Sequence, residues 1–468
     1  VTTVPDASTP DPLPLPNETL EALERAVDAG VDDVRADLEA LVRIPSVSAP
    51  AFDQAHVEAS ASAVADLLRG AGLPQVEVVR VPGGAPAVVA HRPGPDGAPT
   101  VLLYAHHDVQ PPGEGWTTEP FEPTRRGDRL YGRGAADDKA GVMAHVGALR
   151  ALTAVFADAW PVGVTVFVEG EEEVGSPSFT AFLDTFGDRL RSDVVVVADS
   201  ANWKVGIPAL TTSLRGLVDL VVRVDVLEHA VHSGVFGGPV LDALTLLARL
   251  VATLHDEDGS VAVEGLVRGE AAPLDYSEEM FRAEAGVLDG VRLAGTGTIP
   301  DRLWMRPALS VIGIDAPTIA HSSNTIRHTA AAKLSLRLAP GQDPAAAEAA
   351  LIAHLHAHAP FGARLTVTPG ERGEAFLAPH DAPAMRTARA AFARAWGHPP
   401  VDMGMGGSIP FIADLLRLAP DATILVTGVE DPDARAHGAD ESVHLGELRH
   451  VVVAEALLLA ALGAGCAS

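Results

Sequence analysis

Thr100-Val101-Leu102-Leu103-Tyr104-Ala105-His106-His107-Asp108 is the stretch on which the fold turns. Its first six residues form a nearly all-apolar run bounded by turns, which predicts a strand buried on both faces rather than one face of an open sheet. Two imidazoles and a carboxylate follow at once. Working outward, a helix is expected over about 140–156, a strand over 162–168, a helix over 178–186 and a strand over 193–198. Strands and helices taking turns predict a mainly parallel sheet covered by helices on both sides. Functional side chains in such folds sit where strands end. The candidates fall there: His106 and His107 after one strand, Glu169 to Glu173 after the next, Asp199 after the third.

Upstream, Asn17 is expected to cap a long amphipathic helix in which Leu20, Leu23, Val27, Val31, Val34, Leu38 and Leu41 recur at three- and four-residue steps, ended by Pro45. A second helix, 53–69, leads into β-like runs at 76–81 and 87–91. From about residue 210 the character changes to a β-like run 217–226, a helix 240–255, and a long irregular stretch containing Pro273 and Pro300. Strands 309–314 and 331–338 and a helix 344–358 complete this part. This pattern predicts a smaller α+β domain, 210–374, inserted into an α/β domain made of 17–209 and 375–468, behind a flexible tail, 1–16. The last segment supplies a helix 384–396, a Gly-rich turn 404–407, a strand 423–426 and a final helix from about 442.

Acidic residues outnumber basic ones 62 to 34, and the net charge of −28 disfavours nucleic-acid phosphate or an anionic membrane as partner. The one cysteine, Cys466, excludes a disulfide framework and a Cys-rich zinc site, so any metal must be held by His and carboxylates. The apolar run 451–467 is interrupted by Glu455 and reads as a buried helix, not a membrane span. The first twenty residues lack Lys and Arg, are broken by five prolines and match no targeting segment, which favours a cytoplasmic protein.

Four sequence features carry chemistry. In His106-x-Asp108 the two side chains share a side of an extended backbone, and a carboxylate beside a metal-binding imidazole fixes its tautomer. Glu169-Gly170-Glu171-Glu172-Glu173 crowds four carboxylates at a strand end, a cluster that needs either solvent or a cation. Asp137, in Tyr131-Gly132-Arg133-Gly134-Ala135-Ala136-Asp137-Asp138-Lys139, reads locally as an acid in a first helical turn. His437 lies in a small-residue loop. Together His106, Asp137, Glu173, Asp199 and His437 make a mixed N/O set suited to zinc or another divalent ion. Two ions sharing one carboxylate would use the set economically, with Asp137 as the bridge.

His106-x-Asp108, Gly132-Arg133-Gly134-x-x-Asp137-x-Lys139, Glu172-Glu173-x-Gly175-Ser176, Asp199, His232-Ser233-Gly234-Val235-Phe236-Gly237-Gly238, Gly406-Gly407-Ser408-Ile409-Pro410 and His437 occur in an order and spacing that resembles the co-catalytic zinc peptidases. That family includes carnosinases, carboxypeptidase G, aminoacylase-1 and succinyl-diaminopimelate desuccinylase. The likeness spans nearly the whole chain and is strongest to the carnosinase-like dipeptidase branch. It implies an α/β zinc-peptidase catalytic domain, with a mainly parallel sheet flanked by helices, and an inserted lid and dimerisation domain.

By that resemblance His106 and Asp199 bind one ion, Glu173 and His437 the other, and Asp137 bridges them, followed by a cis peptide to Asp138. The ions would be zinc, with manganese or cobalt as alternatives. Asp137, Glu172, Glu173 and Asp199 then bring four negative charges against four positive ones. Glu172 is the implied general base, taking a proton from a water between the ions and returning it to the leaving amine. Asp108 stands beside His106. His232 is presented to the other subunit's site in relatives, which implies a homodimer, and Asn324, Arg337 and Ser408 match positions that hold a substrate's C-terminal side.

Two departures bear on substrate fit: Arg327 follows Ile326 where relatives usually have proline, and His107 stands where an aromatic is common. The resulting expectation is hydrolysis of dipeptides or similar amides with a free carboxylate. Deacylation of N-acyl amino acids or carboxypeptidase activity is the alternative, and Asp199 in place of Glu favours the first. A non-catalytic metal-binding scaffold is disfavoured by the intact Glu172, and a serine hydrolase by Gly-Gly-Ser-Ile-Pro, which is not a nucleophile elbow.

Overall fold

The computed structural model describes residues 11–406 and 410–465. Ser408 and Cys466 lie outside the described residues. The chain divides into two compact units, one made of the chain up to Thr212, Ala378–Met403 and the chain from Phe411, the other of Ser213–Leu377 with a short segment beginning at Gly404.

In the first unit, Thr100–His106 lies at the middle of a mixed sheet, between Gly163–Glu169 and Val194–Val197, and pairs with both in parallel. Thr423–Val426 adds a further parallel strand beyond Val194–Val197. The flanks are antiparallel: Gln75–Val79 on Ala87–Arg92, Ala87–Arg92 on Gly163–Glu169, and Val426 opposite Thr211. The central strands are buried along nearly their whole length, as the unbroken apolar runs require.

Helix Lys139–Phe156 packs on Thr100–His106 and is itself covered by Asn17–Val42 and Leu445–Ala464, so its first eleven residues are all buried. A helix apolar on every side belongs in such an interior layer. No helix among the described residues is long and apolar enough to cross a membrane.

Two local expectations change. Asn17 is already helical, and the cap position belongs to Pro16, whose ring fixes the entry to the helix without a side-chain bond. The final helix starts at Leu445, because Ser442–His444 is spent as a strand against Arg129–Tyr131; His444 Nδ1 then accepts the Glu447 N–H at 3.3 Å.

The second unit is an antiparallel sheet in the order Ala308–Asp315, Thr329–Leu338, Gly216–Asp225, Arg364–Gly373. One face, carrying Val218, Leu220, Val222, Val224, Leu334, Leu336 and Leu338, packs on helices Ala243–Ala252 and Pro344–Ala357. The strand Arg364–Gly373 has no strong sequence signal: it is an exposed edge, with Pro369 at an irregularity in the pairing, where a missing N–H is tolerated. The stretch expected to be irregular holds a helix, Glu278–Ala285, capped by Ser277 Oγ on the Met280 N–H and closed by Gly286 at φ 63°.

Candidate metal centre

His106 ends the central strand and is fully buried. Its Nδ1 faces Asp108, 3.1 Å from the main-chain oxygen and 3.3 Å from Oδ1, while Nε2 points to Asp137 Oδ1 at 3.1 Å. Asp108 does a second job: its two oxygens accept the N–H groups of Glu172 and Glu173 at 3.2 and 3.1 Å. One buried carboxylate thus fixes the imidazole and the turn that carries the next two acids. His107 packs away from the site, with Nε2 on the Pro86 carbonyl at 3.0 Å.

The four crowded glutamates separate into two pairs. Glu169 receives the Tyr104 hydroxyl, and Glu171 is tied to the N–H groups of Ala85 and Ser178 at 3.0 and 2.8 Å. Glu172 and Glu173 are left for the site, Glu173 held by the Gln110 N–H and side-chain amide at 3.0 and 2.8 Å.

His106, Glu172 and Asp199 bring ligand atoms within 4.8 Å of one another, and so do His106, Asp137 and Glu173. His437 Nε2 completes the cluster, 2.9 Å from Asp137 Oδ2 and 3.1 Å from Glu173 Oε2. Every ligand expected in this unit is therefore in one place, with Asp137 between the two histidines.

The sequence reading missed how Asp137 is held. Glu441 is fully buried, and its Oε1 accepts the N–H groups of Ala136 and Asp137 at 3.0 and 3.1 Å. Its Oε2 takes the Gly134 N–H at 3.1 Å and Arg133 Nη1 at 2.6 Å. Arg133 reaches on to the Gly438 carbonyl at 3.1 Å, which fastens the His437 loop to the Asp137 loop. The signal lay in the sequence, Gly-Arg-Gly before Asp137 and a glutamate four residues after His437, but only the fold shows that they meet. Lys139 anchors the start of its helix on the Leu41 and Ile44 carbonyls at 2.9 and 2.7 Å. The Asp137–Asp138 peptide is cis. Gly141 admits no side chain, since a Cβ there would lie 2.1 Å from Asp138 Oδ1 and 2.7 Å from the Ala198 carbonyl.

The electrostatics fit a cation. Burial pushes Glu172 up to about 8, with Asp199, Glu173 and Asp108 adding repulsion against the pull of His106. Burial likewise pushes Asp199 up to about 6. Asp137 is buried too, yet hydrogen bonds from His106 and His437 hold it below the carboxylate range. Hydrogen bonds to Asp137 and Glu173 raise His437 to about 10. Glu430, another acid missed in the sequence, is raised by burial and by Asp137 and Asp199. Carboxylates so placed compete for protons unless a metal supplies the positive charge.

The remaining candidates lie in the second unit. His232 is exposed, its Nδ1 accepting the Gly234 N–H at 3.0 Å, and it pairs with Thr325 across a two-residue ladder. The Asn324 carbonyl accepts the Ser233 N–H at 2.9 Å, so Asn324 and His232 share one small structure. Arg337 lies on the sheet face opposite the core, near Arg215, which burial and Arg337 together push down to about 10.

Comparison with known proteins agrees with this geometry. Residues 102–461 match the model of peptidase family M20/M25/M40. A cysteinylglycine-S-conjugate dipeptidase of Corynebacterium striatum is 38% identical over 375 residues, covering 78% of this chain and 82% of that protein. The human Beta-Ala-His dipeptidase is 31% identical over 375 residues, 74% of this chain and 73% of that one. Among solved structures, the di-peptidase Dug1p of Saccharomyces cerevisiae superposes with a TM-score of 0.74 at 21% identity, covering 95% of this chain and 98% of that one. A cluster of two histidines and four carboxylates gathered around the buried His106, a family match over most of the chain and relatives above 30% identity converge: this chain belongs to the M20/M25/M40 peptidases.

Proposed function

We propose that this protein is a two-metal dipeptidase that cleaves the amide bond of small peptides bearing a free carboxylate. The observation that carries the reading is the convergence of His106, Asp137, Glu172, Glu173, Asp199 and His437 within bonding reach of common points. The relatives named for Cys-Gly conjugates and for Beta-Ala-His support the substrate class. The donor set of imidazoles and carboxylates suits zinc, and manganese or cobalt would fit the same oxygens and nitrogens. Asp137 has one oxygen toward His106 and the other toward His437, the arrangement of a bridging ligand. His106 and Asp199 would hold one ion, Glu173 and His437 the other.

When bound, the ions supply acidification of a water and polarisation of the amide carbonyl. Glu172 is the proton carrier: it takes the proton of the attacking water and delivers it to the leaving amine. Burial gives it a higher proton affinity than an exposed acid, which suits a group that must hold a proton in mid-reaction. Asp108 keeps His106 in one tautomer and holds the Glu172 N–H, so base and ligand keep a fixed relation.

In this reading the second unit acts as lid and dimerisation domain of a cytoplasmic homodimer. His232 would serve the partner subunit's site by countering charge on the carbonyl oxygen, while Asn324, Arg337 and Ser408 would hold the C-terminal side of the substrate. Arg337 has the fork that pairs with a carboxylate.

The test is a panel of dipeptides, including Cys-Gly and β-Ala-His, beside N-acetyl amino acids, run with metal analysis on the wild type and Glu172→Ala. Dipeptide turnover that falls about 10²- to 10⁴-fold in the variant, with both metals retained, is expected. Turnover of only the acylated compounds would overturn the substrate class, and unchanged turnover in Glu172→Ala would remove it as the base.

A further inference from the structure

His437 is the most exposed of the assembled ligands: 58% of its side chain meets solvent, against 3% for Glu173 and none for His106. Its loop also holds a costly backbone. Arg435, His437 and Asp440 have φ of 56°, 63° and 59°, the left-handed region that residues with side chains seldom adopt. Such a conformation persists only where the surroundings fix it. One short segment, residues 110–117, supplies that fixing and reaches Glu173 as well.

Gln110 opens the segment and encloses Glu173. Its N–H donates to Glu173 Oε1 at 3.0 Å, and its side-chain Nε2 donates to Oε2 at 2.8 Å and to the Glu173 carbonyl at 3.1 Å. Thr117 closes the segment by giving its N–H and its hydroxyl to Asp440 Oδ1 at 2.8 and 3.0 Å. Between the two, Trp116 Nε1 donates to the Pro112 carbonyl at 2.5 Å, and the Arg133 guanidinium stands 5.4 Å from the centre of the Trp116 ring. Arg133 Nη2 spans from the Pro111 carbonyl at 3.3 Å to the Gly438 carbonyl at 3.1 Å. The segment is thus a strap, tied to Glu173 at one end and to the His437 loop at the other. His106 is fixed by different groups, Asp108 on its ring at 3.1 Å and Asp138 on its N–H at 3.2 Å.

We propose that this strap is a positioning element for one of the two metal sites: Gln110 and Asp440 set the geometry of Glu173 and His437, and with it the affinity of the ion assigned to that pair. The ion assigned to His106 and Asp199 does not depend on them. All of these groups lie in the first unit. The inference rests on the two-metal reading above and adds that the two sites are supported separately.

Zinc titration of the full-length, metal-free protein against a competing chelator tests it. The variants are Gln110→Leu, Asp440→Ala and Asp440→Asn, with His437→Ala to identify which bound equivalent is the ion of that pair. Gln110→Leu and Asp440→Ala should each weaken that equivalent by about 10- to 100-fold and leave the other unchanged. Asp440→Asn should keep wild-type affinity, because an amide oxygen accepts the same two Thr117 donors. Cobalt in place of zinc reports the same split: the ligand-field bands of that equivalent should change in Gln110→Leu and Asp440→Ala, and those of the other should not. Equal weakening of both equivalents, weakening of the one that His437→Ala leaves in place, or wild-type affinity in both Gln110→Leu and Asp440→Ala would overturn the proposal. So would Asp440→Asn behaving as Asp440→Ala, which would assign the effect to charge and not to the strap. A wild type that binds a single ion would instead overturn the two-metal reading on which the proposal stands.

Discussion

The largest sheets of the two units solve burial in opposite ways, and the difference decides where the chemistry can be read. In the first unit the central strands Thr100–His106, Gly163–Glu169 and Val194–Val197 are covered on both faces. Few polar side chains lie along them, Thr165 and Tyr104 among them, and the ionisable ones collect where the strands stop, at His106, Glu172, Glu173 and Asp199. In the second unit Gly216–Asp225 and Thr329–Leu338 bury alternate residues and leave the others on an open face. Polar groups there need no ligand to explain them: Asp219 is buried, yet it simply pairs with Lys333 at 2.9 Å. A polar residue at the end of a doubly covered strand is therefore a functional signal, and one on an alternating strand is not.

The largest effect should come from Asp137→Ala, which removes the carboxylate shared by the two halves of the cluster. Metal content should fall below two ions per chain, and dipeptide turnover should drop on the order of 10⁴-fold. Metal analysis with steady-state kinetics checks both. Retention of two tightly held ions would mean that the strand-end cluster works without a bridge.

Next in size is a test from the other side of the comparison. Leu334 is fully buried on the closed face of the second unit's sheet, so Leu334→Ala should cost about 2 to 5 kcal/mol of that unit's stability. Metal content should not change. A denaturation curve that follows each unit separately, with metal analysis on the native variant, would show whether the two interiors are as independent as the division of the chain implies.

Much of this was legible in the sequence, for a physical reason. An unbroken apolar run ending in His or Asp is visible without the fold, which is why the stretches 100–108 and 194–199 placed two candidate ligands by strand position. The bridging role expected of Asp137 came from the economy of the whole ligand set and from resemblance, since locally Asp137 is one acid in a glycine turn, and the role expected of Glu172 came from resemblance alone. Long-range support was not legible. Glu441 lies about three hundred residues from the loop whose N–H groups it collects, and no local pattern links them. The edge strand Arg364–Gly373 escaped because an exposed strand carries little periodicity to detect.

That missed support gives a smaller, more specific effect. Glu441→Gln keeps the size of the side chain but cannot accept four donors with two anionic oxygens. Metal affinity should fall about 10- to 100-fold, as when other groups that orient ligands are changed. Competition against a chelator measures it, and a cobalt-loaded sample should show altered ligand-field bands if the Asp137 loop has moved. An unchanged affinity would confine Glu441 to fastening the His437 loop through Arg133.

The smallest effect concerns a buried pair inside the first unit's helical layer. His145, on Lys139–Phe156, has Nδ1 2.8 Å from Glu455 Oε1 on Leu445–Ala464 and Nε2 3.0 Å from the Tyr104 carbonyl. Burial alone would lower its proton affinity, but the charge and hydrogen bond of Glu455 outweigh that and raise it. A histidine bound to its proton more tightly in the folded state contributes stability that is fully present below about pH 6.5 and is lost as the pH rises through the folded value. The unfolding free energy of the wild type should therefore fall with rising pH above that point relative to His145→Gln. The difference in slope cannot exceed about 1.4 kcal/mol per pH unit, the share of one proton. Lys333 and Asp219 offer the contrast, a pair on an open face whose lysine keeps its proton throughout this range. Parallel pH profiles for wild type and His145→Gln would show that the doubly covered layer holds this pair no differently from a surface one.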